Sequence, residues 1–381
     1  MSNLIQIIGF SIIIAIGIVM NLINIVIFRQ RTMIVLSTFH LLFYLSIIDL
    51  FVLLICATDA LLTYGFFYEL RNVSVISCKF HTFLTYFLTH MSSILLMIVS
   101  IERTFVIYNK SFFSFLRLPA KTNIGCLNRR KRILNVFGCI IFNRIRFLFF
   151  LIFFIIFMIN SHFLSFLTLI SLKTVSKNVT NNFTNEFYDY NFDNNRLLND
   201  SLLITTTMCF PHHQTFYNYF VLKIFVWIDI SLYSVIPFVA MLITSSLILI
   251  KIRNKNSNRF LMQNRTNRRL SKRRNRKNNQ MLVMLLATNA LFIICSLPYS
   301  ILINQDLIHP DYRQFLNQQY LIIHMLAYSN KSVNFVFYLT FSLKYRQAFF
   351  SLFQNANISS NQQRKSIISE NHVRISRKPV S

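Results

Sequence analysis

The stretch from Cys78 to Thr104 reads CKFHTFLTYFLTHMSSILLMIVSIERT, an apolar run of membrane length that ends on the charged step Glu102-Arg103, twenty-five residues after Cys78. A charged pair abutting such a helix is costly unless something requires it there. Six further runs of the same kind surround it. The seven lie near 5–28, 36–64, 79–108, 147–170, 217–252, 279–303 and 319–343. Each has roughly the twenty or more residues needed to cross a hydrocarbon core of about 30 Å. Arg144 and Arg146 leave two starts open for the fourth run, one near Ile133 and a later one at Phe147.

An apolar share of 54% alone does not separate a membrane protein from a soluble one, but its concentration into these runs does. Strands of a closed barrel would alternate with period two, and FLFFLIFF at 147–154 does not. The expected fold is therefore an all-α membrane protein, a seven-transmembrane helix bundle. The first run lacks a basic residue ahead of it and a small-residue cleavage pattern after it, and Arg29 and Arg31 come next. It reads as a retained first helix behind a short outer tail, residues 1–4, rather than a signal peptide.

The net charge of +27 invites a nucleic-acid reading. Sorting the charges removes it. With the N-terminus outside, roughly thirty of the thirty-nine basic residues fall on inner segments, as the positive-inside rule requires. They are Arg29 and Arg31, Lys110 to Arg146, Lys251 to Lys277, and Lys344 to Lys378. The outer segments hold Glu69, Glu186, Asp189, Asp193, Asp200, Asp306 and Asp311. The expected protein sits in the plasma membrane with its C-terminus in the cytoplasm and no nucleic acid as partner.

The long outer loop, 171–216, carries sequons at Asn178, Asn182 and Asn199, expected to be glycosylated; Asn72, in a short loop, is a poorer acceptor. Two inner loops stand out, 109–146 and 254–280. The second reads as a polybasic collar facing membrane lipids, with a basophilic kinase site at Ser271 as the alternative. Residues 354–381 are polar and expected to be disordered. Among six cysteines, Cys78 and Cys209 fall on the oxidising side, so one bridge is expected. Cys56, Cys126, Cys139 and Cys295 show no metal-ligand spacing, and His212-His213 is either a weak metal pair or simply polar. No cofactor is expected.

Asn21, Asp49, Ser92, Asn330, Lys331 and Asn334 lie near the middle of their runs and share one depth. Intramembrane polar groups are functional candidates by default. Asn330 and Asn334 fall one helical turn apart, as do Lys331 and Asn334. An isolated carboxylate or ammonium there is expensive, so Asp49 and Lys331 are expected to face each other across the core. The alternative is six groups satisfied separately. Asp59 and Asp229 form a second acidic set nearer the outer face, with no obvious basic partner, although Lys223 lies six residues from Asp229. Two carboxylates open to an outer cavity suit a cationic ligand group, arginine above all for its planar fork; structural pairing is the other reading. Trp227, the only tryptophan, either lines that cavity or marks the membrane interface.

Together these residues resemble the rhodopsin-like (class A) G-protein-coupled receptors over residues 10–353. Asn21 matches the helix-one asparagine, Leu45-Ser-Ile-Ile-Asp49 the helix-two signature, and Glu102-Arg103-Thr104 the Asp/Glu-Arg-Tyr triplet. Cys78 stands at the start of helix three and Pro237 fits the helix-five proline. Phe292 with Cys295-Ser-Leu-Pro298 fits helix six, and Asn334-Phe-Val-Phe-Tyr338 fits Asn-Pro-x-x-Tyr. Phe341 to Phe353 resembles the short amphipathic eighth helix, assigned to 344–353. The resemblance implies a heterotrimeric G protein as inner partner, arrestin as a second, and a Cys78–Cys209 bridge. It gives Glu102, Arg103, Phe292, Pro298, Asn334 and Tyr338 roles in activation and coupling.

Several positions depart from the family pattern. Ser296 replaces the helix-six tryptophan, Phe335 the proline of the last motif, Thr104 the triplet tyrosine, and Asn278 the Glu that locks Arg103 in some members. Lys331 stands beside the family's sodium site, where its ammonium is expected to replace the ion at Asp49. Tyr328 occupies the Schiff-base lysine position of opsins and Thr85 the aspartate position of amine receptors, so retinal and amine ligands are not expected. Both are counted with Asp59, Asp229 and Trp227 as ligand-binding residues. The chain looks similar to invertebrate neuropeptide receptors of the FMRFamide type, which implies an extracellular peptide ligand ending in amidated Arg-Phe. Five glycines, six prolines and no visible repeat argue against a transporter, and no hydrolase or metalloprotease motif argues for an enzyme. A receptor that no longer signals is the remaining alternative.

Overall fold

The computed structural model describes residues 2–30, 33, 37–108, 146–176, 202–211, 216–261, 283, 286–300 and 317–352. Eight helices and one hairpin occupy them. They are α1 (Ser2–Phe28), α2 (Thr38–Phe66), α3 (Val75–Ile107) and α4 (Arg146–Phe166). The hairpin strands β1 (Leu167–Ser176) and β2 (Leu202–Pro211) come after α4. Then come α5 (residues 216–261), α6 (Leu286–Ser300), α7 (Asn317–Phe341) and α8 (residues 343–352). The first five helices are long and apolar enough to cross a membrane. With α6 and the more polar α7 they make a seven-transmembrane bundle. In hydrocarbon a helix satisfies its own backbone, so side chains such as Ile12, Val19, Phe150 and Phe154 stay exposed on the outer faces without cost.

The core runs along α3, which packs against α2, α4, α5 and β1. Met91, Leu95 and Val99 of α3 are fully enclosed. The Ser74 side chain starts this helix by accepting from the Ser77 N–H at 3.0 Å. α1 approaches α2 and α7 closely through Gly17. A Cβ there would lie 2.5 Å from Leu53 Cδ1 and closer still to Ser332 Oγ.

The helices are not uniform. α2 contains a π-helical turn at Val52–Ala57, and α5 contains two, at Phe220–Phe225 and Ser231–Val235. Each adds a residue to a turn and rotates the remainder of its helix by about 100°. α2 stops where Phe67 takes a left-handed conformation, φ 56°.

Several boundaries differ from the sequence expectation. Residues 2–4, assigned to a tail, form the first turn of α1, since nothing there breaks a helix. α4 is described from Arg146, and the earlier of the two starts open to the fourth run, near Ile133, lies outside the described residues; the helix ends at Phe166, and Leu167–Ile170 belong to β1. β1 and β2 pair antiparallel, Leu169 opposite Cys209, where an irregular outer loop is expected from the sequence, so the all-α bundle carries one two-stranded sheet. The β-branched and alternating composition of Thr168–Ser176 and Ile204–Thr207 is the signal for it. Helix five continues through Leu261, taking residues 254–261 from the expected inner loop. α8 begins where the Ser342 hydroxyl accepts from the Tyr345 N–H at 3.3 Å. The sequons at Asn178, Asn182 and Asn199, residues 109–145 with Cys126 and Cys139, and His212-His213 lie outside the described residues. So do residues 262–280 with Ser271 and Asn278, the carboxylates Glu186, Asp189, Asp193, Asp200, Asp306 and Asp311, and the tail 354–381.

Candidate functional site

Cys78 at the start of α3 is bonded to Cys209 in β2, with Cα atoms 5.4 Å apart. The bridge ties the hairpin over one end of the bundle. The Cys209 N–H also donates to Asn72 Oδ1 at 2.9 Å, and Asn72 donates in turn to Glu69 at 2.6 Å. The Asn72 amide is thus committed to the fold.

Below the hairpin lies a cavity of about 500 Å3 between α2, α3, α5, α6 and α7. Asp59, Thr85, Asp229 and Tyr328 all line it, as the sequence suggested, together with Glu69, Arg71, Tyr233 and His324. Trp227 does not; it stands 61% exposed on the outer face of α5.

The two carboxylates have partners that the sequence did not show. Asp59 is paired with Arg71 at 3.0 Å and approached by His81 at 3.7 Å, leaving it 5% exposed. Burial opposes the charge of Arg71, yet Asp59 and Glu69 hold its pKa above the ordinary value. Asp59 is thus a structural partner more than an open counter-ion. Asp229 Oδ1 meets His90 Nε2 at 2.8 Å, while the Asn160 amide donates to His90 Nδ1 at 3.2 Å and to the Ile156 carbonyl at 2.8 Å. This clasp joins α5, α3 and α4 around a histidine with no exposed surface. Asp229 keeps 18% of its side chain exposed, and its Oδ2 has no partner among the described residues.

Deeper, Asp49 and Lys331 face each other as expected, Nζ to Oδ1 at 3.8 Å. Ser92 lies between them, donating to Asp49 at 2.5 Å and accepting from Lys331 at 2.6 Å. Asn334 donates to the other Asp49 oxygen at 3.0 Å. Asn21 reaches the same place through backbone, donating to the carbonyls of Gly17 at 2.9 Å and Lys331 at 3.0 Å. Asn330, expected in the same set, is buried on α7 but forms no hydrogen bond with it among the described residues. The Lys331 ammonium of α7 thus meets Ser92 of α3 and Asp49 of α2, and each of the two charges faces an opposite charge.

At the far end, Glu102 accepts from the Thr38 hydroxyl, and the Arg103 guanidinium lies 5.5 Å from the centre of the Phe39 ring. A polar chain that sequence reading missed crosses here. Ser100 donates to Asn289 Oδ1 at 2.8 Å, and Asn289 donates to Ser245 at 3.0 Å, linking α3, α6 and α5. Phe292, one turn along α6, is fully enclosed, and Pro298 is half-buried. Tyr338 packs against Phe28 and Tyr345 with ring centres 5.5 and 5.8 Å apart. Tyr345 donates to Asn24 at 2.5 Å, and burial pushes its phenol up, so it stays a donor. Phe335, where the family pattern has proline, contacts Tyr345 and Phe349 and so seats α8 against α7.

The family model described as 7 transmembrane receptor (rhodopsin family) matches residues 189–338, from before β2 to Tyr338. That span holds α5, α6 and most of α7, with Pro237, Pro298, Lys331 and Asn334. It supports the receptor resemblance of the motifs. No curated protein matches the chain.

Proposed function

We propose that this chain is a peptide receptor of the rhodopsin-like type. It sits in the plasma membrane with the hairpin end outward, binds its ligand in the cavity beneath the hairpin, and activates a heterotrimeric G protein at the Arg103 end. The orientation rests on the basic residues, which gather in segments at the Arg103 end, and on the bridge at the other, oxidising end.

The observation that carries the ligand reading is the state of Asp229. Its carboxylate is held by His90 through one oxygen, the other has no partner among the described residues, and the residue lines a cavity of about 500 Å3. An oriented carboxylate with a free oxygen is a site for a cationic group, and a guanidinium matches it best. Asp59, already paired, shapes the cavity wall. An amidated peptide with arginine near its end supplies the cation and an aromatic ring for the tyrosines around the cavity. Arrestin and annular lipids are the further partners that this reading brings.

The test is a G-protein activation assay on cells carrying the chain, run against a library of amidated peptides with and without arginine. Activation by arginine-containing members alone supports the reading. Activation by none, with the protein present at the cell surface, favours the second reading, a receptor that no longer signals; Ser296 and Phe335, in place of the family's tryptophan and proline, are the residues that favour it.

A further inference from the structure

Outside the bundle, between α4 and α5, a groove of about 450 Å3 opens sideways. Ile159 of α4 forms one wall, and Ile224, Trp227, Ile228 and Leu232 of α5 form the other, with Lys223 at its hairpin-side end. Both π-helical turns of α5 contribute to this wall, the first through Lys223 and Ile224 and the second through Ser231 and Leu232. Around it Ile155, Met158, Val235 and Ile236 are all more than 40% exposed, as a face turned to hydrocarbon must be.

Lys223 is exposed and forms no hydrogen bond or ion pair among the described residues. It lies seven residues into α5, about 10 Å along the axis, within reach of the headgroup region by extending its stem. Trp227 is placed one turn deeper, the side chain that favours this level of a bilayer. From Lys223 to Leu232 the wall then offers about 13 Å of apolar surface. A cation at the mouth of an apolar slot matches a molecule with an anionic head and a hydrocarbon chain.

We propose that this groove binds one anionic phospholipid, its phosphate at Lys223 and an acyl chain along Ile224, Ile228 and Leu232. The opposite face of the same turns lines the ligand cavity through Asp229, Ile230 and Tyr233, so the lipid rests across a single helix wall from it.

Trp227, the chain's only tryptophan, reports the site directly. The full chain is placed in phosphatidylcholine nanodiscs, and acyl-brominated lipid is added at increasing mole fraction while Trp227 fluorescence is measured. Brominated phosphatidylglycerol is expected to associate about fivefold more strongly than brominated phosphatidylcholine, the effect of one basic contact. Lys223→Gln brings the ratio close to one, and Lys223→Arg preserves it. Equal quenching by both lipids in the wild type, or an unchanged ratio in Lys223→Gln, overturns the proposal. Quenching by neither lipid, as when a second copy of the chain covers the groove, overturns it as well.

Discussion

Lys331 of α7 reaches Asp49 of α2 across the centre of the bundle, 3.8 Å apart with the Ser92 hydroxyl bonded to both. Both side chains are almost wholly buried, so each charge depends on the other. Removing one partner of such a pair costs about 3–5 kcal/mol, whereas replacing both costs much less. Lys331→Ser is therefore expected to lower the melting temperature, and Asp49→Asn with Lys331→Met to recover most of the loss. Lys331→Ser also leaves room for a small cation. Its melting temperature is expected to rise when sodium replaces choline in the buffer, while that of the wild type does not respond. A sodium response equal in the two proteins would show that the ammonium does not stand in for an ion.

Asp229→Asn keeps a hydrogen-bonding partner for His90 and removes the charge facing the cavity. The half-maximal concentration of an arginine-containing agonist is expected to rise about 10- to 100-fold, the loss of one charged hydrogen bond. Asp59→Asn, which unpairs Arg71, is expected to reduce surface expression more than potency. Unchanged potency in Asp229→Asn, in a dose–response assay, removes Asp229 from the ligand site.

The Ser100–Asn289–Ser245 chain holds α6 to α3 and α5 near Arg103. A hydrogen bond contributes about 1 kcal/mol net, so Asn289→Ala is expected to raise ligand-free nucleotide exchange about fivefold or more. Basal exchange at the wild-type level would mean that these bonds are not what restrains α6.

Gly17 and Gly9 make a matched pair. At Gly17 an added methyl meets Leu53 and Ser332, and overpacking of this kind costs about 1–3 kcal/mol. At Gly9 it meets only the end of the Met325 side chain at 3.0 Å, a flexible group that can turn away. Gly17→Ala is expected to lower the melting temperature in detergent by several degrees, and Gly9→Ala to leave it nearly unchanged. Equal effects would refute the close approach of α1 to α2 and α7.

The orientation has a direct test. An epitope placed within 254–280 is expected to stain only after cells are permeabilised, and one placed within 177–200 to stain intact cells. The reverse pattern would sink the assignment of the cavity to the outside.

Much of this architecture is legible in the chain as written. Membrane-length apolar runs arise from the need to bury backbone polar groups, and that need reads locally. The Asp49–Lys331–Asn334 cluster is legible for a related reason, because charges at mid-membrane depth have few ways to be satisfied and must find one another. The partners of Asp59 and Asp229 were not legible. Arg71 sits in a short turn after α2, and His90 on α3 looks like one polar residue among many. What aligns Asp229 with His90 is its place between two π-helical turns of α5, each of which shifts the register of the helix face beyond it. The same turns put Trp227 on the lipid side.

Sequence alone therefore determined the number of crossings and the paired charges at their centre, each forced by the cost of exposing polar groups to hydrocarbon, and the cysteines at one end, which the charge sorting puts on the oxidising side. Tertiary structure alone decided which carboxylate stays open to the cavity and how α3, α5 and α6 are bonded together. Those outcomes depend on small rotations of one helix against another, which no spacing along a single chain records.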